Sequence, residues 1–325
     1  MRFLLDTEQR AFARSLDAML TAADTPKAVR AWGRGEHPAG RALWSRVAEA
    51  GVFALAAPEA YEGMGPLPVE LAVAFVELGR HAVPGPLVET VTAVVLLSGL
   101  DDPGPAARLL PALLSGTAMA TVAPSPEAYA LDGDAATTHL SLDPERGELR
   151  LRPGHGPVRP SLDPARRPTP LAPGGALLAT NPALLARALV WARLAVAAQA
   201  LGVGLALLDR TVAYVRQRTQ FGVPVGSFQA VKHRLADAKV ALEFARPLVF
   251  GAAVTRDPAD AAAAKVTACE AAYETARTAL QLHGAIGYTA EYDLSLWFTR
   301  AQALRTAWGT PAECRATVLD GARRR

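Results

Sequence analysis

The chain has 325 residues, half of them hydrophobic but only 6% aromatic, and its 34 basic and 31 acidic residues leave a net charge of +3. That length and apolar content support a large core, in one domain or two to three packed subdomains. The scattered charges argue against nucleic-acid binding, since only Arg323–Arg325 form a short basic tail; an anionic ligand such as a dinucleotide or coenzyme A stays compatible.

A core this poor in aromatics must be built from small and branched aliphatics, which suits close helix packing. The N-terminal "MRFLLDTEQRAF" becomes charged too early for a secretory signal. The longest uncharged apolar run, Leu194 to Leu208, is too short to span a bilayer and contains Gln199. Cys269 and Cys314 stand in unrelated contexts without metal-ligand neighbours at usable spacing. A reducing cytoplasm, no membrane and no metal site are therefore expected.

Residues 1–116 read as an α-helical domain. Asp6 or Thr7 caps a first helix with Glu8 in its first turn, and Phe12, Leu16, Met19 and Leu20 form its apolar stripe. Further helices are predicted over 41–50, 69–79, 87–97 and 106–114, with "PEAYEGMGPLP" as a loop. Residues 117–180 read as a small β domain: "MATVA" and "GELRLRP" have strand character, while the seven prolines between 153 and 173 exclude helix and central strands. Residues 181–325 are helical again. The segment 183–218 is apolar on nearly all sides and should be buried in a bundle. Helices over 228–254, 258–283, 291–304 and 311–323 follow.

Two polar, glycine-containing segments interrupt this last region, "RTQFGVPVGSFQAVKHRLAD" (218–237) and "QLHGAIGYTAEYDLSLWFTR" (281–300). An arginine can donate two parallel hydrogen bonds to a phosphate. Glycines let backbone N–H groups approach a pyrophosphate, and a helix starting near Ser227 adds its positive end. Taken singly, Gly222, Pro224 and Gly226 make a turn and Phe221 and Phe228 fill a core; two such segments in one bundle point to a ligand site.

At these residues the sequence resembles the acyl-CoA dehydrogenase family. "R-x-x-F-G-x-P-x-x-x-F-Q" and "Q-x-H-G-x-x-G-Y-T" match its C-terminal signatures, and "LWSRVAEAGVFALAAPEAYEGMG" its N-terminal helix and loop, with Glu62 where a glycine is usual. The resemblance covers most of the chain. It implies a mainly α fold with an N-terminal helical domain, a shortened middle β domain and a C-terminal four-helix bundle. It also implies FAD, whose ADP half these two segments hold when the cofactor is bound mainly by a neighbouring subunit. Carried over, Arg218 contacts the pyrophosphate and Gln220 and Phe221 border the cofactor. Phe228 and Gln229 line the adenosine side, and Gln281 to Ala285, with Gly284, form a close-approach loop in which Ala285 replaces a common glycine.

The family removes an α-proton of an acyl-CoA with a glutamate and passes the β-hydrogen to the flavin as hydride. Its two positions for that base carry Gly309 and Ala192 in this chain, and neither accepts a proton. Glu313 is the nearest carboxylate, four residues beyond Gly309, and reads better as a first-turn charge of the last helix. The family's flavin-ring motif, Thr-Glu-Pro followed by Gly-Ser-Asp, has no match; "TVAPSPEAYALDGDAAT" stands in its place. The pattern resembles the base-lacking subunit of heterotetrameric (α2β2) actinobacterial steroid side-chain acyl-CoA dehydrogenases. The implied partner is a catalytic subunit. The alternatives are a self-sufficient homomeric dehydrogenase using Glu313, or a degenerate acyl-CoA-binding or structural protein.

Overall fold

The structure is a computed structural model describing residues 4–324; the first three residues of the N-terminal stretch and Arg325 of the basic tail lie outside it. In chain order it has α1 (Thr7–Thr21), α2 (Thr25–Gly33), α3 (Pro38–Glu49), α4 (Pro68–Arg80), α5 (Leu87–Ser98) and α6 (Pro103–Leu114). Six short strands follow: β1 (Ala120–Ala123), β2 (Ala130–Leu131), β3 (Thr138–Asp143), β4 (Glu148–Arg152), β5 (Pro168–Thr169) and β6 (Ala176–Thr180). The remainder is α7 (Pro182–Gln217), a hairpin of β7 (Thr219–Gln220) and β8 (Val223–Pro224), then α8 (Gln229–Thr255), α9 (Pro258–His283), α10 (Ser295–Leu304) and α11 (Pro311–Arg324). The expected order of helices, small β region and helices is present.

The chain divides into two compact units. One comprises residues 22–71 and 83–192, the other residues 4–21, 72–82 and 193–324.

The first unit combines α2, α3, α5 and α6 with the sheets. Its main sheet has the order β1-β3-β4-β6, with β1 and β3 parallel and the other pairs antiparallel. Buried α5 secures the β1 end through Thr90, whose hydroxyl donates to the Ala120 carbonyl at 3.0 Å and accepts from its N–H at 3.1 Å. β3 alternates Leu140 and Leu142 with polar residues that are themselves buried. Its buried polar side chains are satisfied: His139 bonds the Gly133 carbonyl (2.9 Å) and Ser141 accepts from Arg152 (2.7 Å). The prolines behave as expected, since Pro168 lies in a two-residue strand of a two-stranded sheet. The sequence reading lacks α2, which the buried Trp32 anchors; its indole donates to Asp132 at 3.0 Å.

In the second unit, Asp6 rather than Thr7 caps α1. Its carboxylate accepts the Gln9 N–H (2.8 Å) while the Gln9 side chain accepts the Asp6 N–H (3.0 Å), a reciprocal capping box. α7 is long and apolar enough to cross a membrane, but its most apolar 18-residue window is 94% buried within the protein. It is a core helix, as its all-round apolarity predicts. It also packs closely on the second half of α4: a Cβ at Gly202 would lie 1.9 Å from the Val76 carbonyl oxygen, and one at Gly79 2.1 Å from that of Gln199. α10 begins at Ser295 rather than Glu291, because residues 284–288 form a 3-10 turn and residues 289–294 stay non-helical.

Candidate functional site

Arg218 to Gln229 form the base of a projection. β7 and β8 pair through Thr219–Pro224 and Gln220–Val223, and the Val225 N–H closes on the Arg218 carbonyl at 2.7 Å. The two residues at the tip, Phe221 (φ 54°) and Gly222 (φ 79°), are both left-handed, the signature of a type I′ turn. Glycine takes that conformation freely. A phenylalanine there costs about 1–2 kcal/mol, and Phe221 recovers little by packing, since it is 93% exposed. It makes an edge contact with Phe228, itself exposed, at 6.3 Å. Gln220 turns its amide onto the Thr219 carbonyl (2.8 Å). Arg218 and Gln229 are exposed, and among the described residues the Arg218 guanidinium has no hydrogen-bond or ion-pair partner.

The second segment lies at the C-terminal end of α9. Gln281 and Ala285 are exposed, and Gly284 has φ 62° with no atom within 4 Å of a Cβ built on it. The two segments are joined by a ring stack that the sequence reading did not include. Tyr214, one turn before Arg218, lies 4.2 Å from the buried His283 ring, and its hydroxyl reaches the His283 carbonyl at 3.4 Å. Tyr292 flanks the same imidazole at 5.4 Å. Burial lowers the His283 pKa although Nδ1 bonds the Ala279 carbonyl at 2.8 Å, so the ring is neutral at pH 7 and Nδ1 carries the proton. Tyr214 and Tyr292 also line a cleft of about 380 Å³ with Arg210, Gln217 and Asp293. The Arg210 guanidinium stacks 4.1 Å from the Trp297 ring.

Neither expected base position carries a carboxylate. Ala192 is fully buried in the helix–sheet unit. Gly309 belongs to the helical unit, where two buried cations hold its loop. Lys265 donates to the carbonyls of Arg305 (2.6 Å) and Gly309 (2.5 Å), and Arg193 to those of Trp308 (3.3 Å) and to the Thr317 hydroxyl (3.3 Å). A Cβ at position 309 would meet the Arg193 guanidinium at 3.3 Å and Cys314 Sγ at 3.4 Å. Glu313 is occupied at the start of α11. Its Oε2 accepts from the Thr310 N–H (2.7 Å) and hydroxyl (3.0 Å), while the Thr310 hydroxyl accepts the Glu313 N–H (3.3 Å). These bonds, that from the backbone N–H foremost, hold its pKa below the ordinary carboxylate value. A lone lysine in "AAAAKVTAC" is the one sequence signal that could have revealed this arrangement.

In the segment standing where the flavin-ring motif is missing, Thr121 and Asp132 turn inward. The Thr121 hydroxyl donates to the Leu131 carbonyl at 2.6 Å. Asp132 is fully buried with φ 53°, accepting from Trp32 Nε1 and, at 3.2 Å, from the Arg167 N–H.

The acyl-CoA dehydrogenase N-terminal domain matches residues 6–117 and the acyl-CoA dehydrogenase C-terminal domain residues 183–322. The acyl-CoA dehydrogenase IpdE2 of Mycolicibacterium smegmatis is 33% identical over 314 residues, covering 95% of this chain and 97% of that protein. Among solved structures, a chain of the Tcur3481–Tcur3483 steroid ACAD G363A variant superposes with a TM-score of 0.86 at 25% identity, covering 98% of both chains. A chain of the ChsE4–ChsE5 complex of Mycobacterium tuberculosis does so with 0.84 at 24% identity, covering 99% of this chain and 98% of that one.

Proposed function

Because this chain belongs to the acyl-CoA dehydrogenase family, we propose that it is the base-lacking subunit of a heteromeric, FAD-dependent acyl-CoA dehydrogenase, assembled as an α2β2 tetramer with a catalytic partner. The observation that carries this reading is the contrast between the hairpin and the Gly309 loop. The hairpin offers an unpartnered arginine and a strained, exposed phenylalanine to another molecule. The Gly309 loop is closed around buried cations, with no proton acceptor on Gly309 and its nearest carboxylate engaged in a helix cap.

Bound FAD supplies the two-electron acceptor for α,β-desaturation of an acyl-CoA thioester. The residues present fit its ADP half. Arg218 would face the pyrophosphate, Phe221 and Phe228 would offer flat apolar faces, and the open backbone at Gly284 and Ala285 would allow close approach. Gln220, Gln229 and Gln281 add amide groups around that half. The flavin ring finds no corresponding set, since Thr121 and Asp132 are committed to internal hydrogen bonds. The likeness to a steroid ACAD supports a steroid side-chain CoA ester as substrate, and the two free, buried cysteines fit a cytoplasmic location.

The test is expression of the full chain alone and together with a candidate catalytic subunit of the same family. The chain alone is expected to be colourless and inactive, and the pair yellow and active; yellow, active protein from this chain alone would sink the proposal. In the assembled enzyme Arg218→Ala should weaken flavin retention at least tenfold, through loss of a charge-assisted phosphate contact worth roughly 1.5–3 kcal/mol. Arg218→Lys should restore only part, since the fork geometry is lost.

A further inference from the structure

One cluster of side chains lies apart from everything used above. Glu77 lies in the last turn of α4 and His81 directly follows the helix, its N–H bonded to the Glu77 carbonyl at 3.2 Å, so the two side chains are one turn apart on the same side. Asp17 of α1 meets them there: its Oδ1 lies 2.8 Å from His81 Nε2. One ligating atom from each of the three, an imidazole nitrogen and two carboxylate oxygens, lies within 4.8 Å of the others. We propose that Asp17, Glu77 and His81 bind one divalent transition-metal ion of the zinc class, which clamps α1 to α4.

The donor set supports this class of ion. Zinc takes histidine nitrogen and carboxylate oxygen together, in tetrahedral sites with ligand bonds of about 2.0–2.2 Å. Harder ions such as magnesium and calcium favour sites made of oxygen alone. Ligating atoms in such a site stand about 3.4 Å apart, so the widest separation need close by at most about 1.4 Å and the 2.8 Å Asp17–His81 contact open by about 0.6 Å, both within the reach of side-chain rotation. The fourth position is left to water, on the side where Asp17 is half exposed.

The charges also balance. Two carboxylates neutralise a divalent ion, and the neighbouring cations already have acids of their own. Arg80, whose Nε is 3.5 Å from Glu77 Oε2, donates to Asp209 on α7 at 3.2 Å. Arg246 on α8 is held by Glu243 at 3.4 Å. Glu77 Oε2 itself is sealed from solvent and accepts no hydrogen bond from the described residues, which is the condition a bound cation would relieve.

The experiment uses the full chain, stripped by dialysis against a chelator and titrated with zinc chloride by calorimetry. A parallel cobalt titration is followed in the visible spectrum. One equivalent should bind, the melting temperature should rise, and cobalt should develop the intense bands of a tetrahedral site. His81→Ala and Asp17→Asn should each weaken binding at least tenfold; Asp17 is half exposed, so its variant keeps the fold, which circular dichroism checks. Zinc should also slow hydrogen exchange of the α1 amides in the wild-type chain only. Absence of saturable binding, or binding of equal strength in both variants, would overturn the proposal.

Discussion

The hairpin at Arg218–Gln229 and the loop at Arg305–Gly309 lie in the same helical unit, and they treat their polar groups in opposite ways. In the hairpin, Arg218 has no partner among the described residues and Phe221 holds a left-handed conformation with its ring in solvent. In the loop, the Lys265 and Arg193 side chains are buried and bonded to backbone carbonyls. A group kept unsatisfied at a cost in stability points outward to a binding event. A group satisfied by its own chain has a structural role, and no reacting partner is needed to account for it.

The largest effect should come from breaking the closed side. Lys265→Ala removes a fully buried side chain together with its hydrogen bonds to the Arg305 and Gly309 carbonyls and opens a cavity, so a loss of about 3 kcal/mol is expected in chemical denaturation. A change under about 0.5 kcal/mol would show that the cation does not hold the loop.

Asp132 tests what burial does to a charge satisfied only in part, since its Oδ2 has no hydrogen-bond partner among the described residues. Burial raises its pKa from 3.8 to about 7, against the hydrogen bond from Trp32. The folded chain therefore keeps a proton there that the unfolded chain releases above about 4. This contribution to stability is fully present below that value and is lost as pH rises through 7. Relative to Asp132→Asn, the wild-type chain should lose stability between pH 4 and 7 and hold level above. Asparagine also tolerates the left-handed backbone at this position. Parallel pH profiles for the two proteins would contradict the assignment.

On the open side, Phe221→Asn should stabilise the isolated chain by about 1 kcal/mol, because asparagine tolerates the turn conformation, yet weaken flavin retention in the assembled enzyme. A variant that gains stability and retains flavin equally well would remove Phe221 from the cofactor site. The smallest effect belongs to Glu313→Gln. Its cap and favourable charge at the helix start are worth about 0.3–1 kcal/mol, and turnover of the assembled enzyme should be nearly intact. A fall of ~10²-fold or more with flavin content unchanged would instead make Glu313 the base.

Much of the fold was legible in the sequence because its determinants are local. The capping group at Asp6, the first-turn charge at Glu313, the apolar surface of α7 and the strand character of 148–152 are each encoded within a few turns or a few residues. Not read from the sequence were α2 and the strands β2, β3, β5 and β6. Trp32 of α2 is explained by a bond to Asp132, and β3 buries threonine, histidine and serine whose partners lie elsewhere in the chain.

The hairpin residues were likewise legible as a motif, but the sequence could not show that Phe221 takes a left-handed turn or that Tyr214 and His283 join the two segments. By itself the sequence determined the helical plan, the family and the absence of a carboxylate at Ala192 and Gly309. Only the tertiary structure decided what surrounds those positions and which distant groups meet. Lys265 reaches Gly309 across 44 residues and His81 reaches Asp17 across 64. Contacts at such separations depend on how helices pack in three dimensions, and no local periodicity, cap or turn signal records which pair will meet.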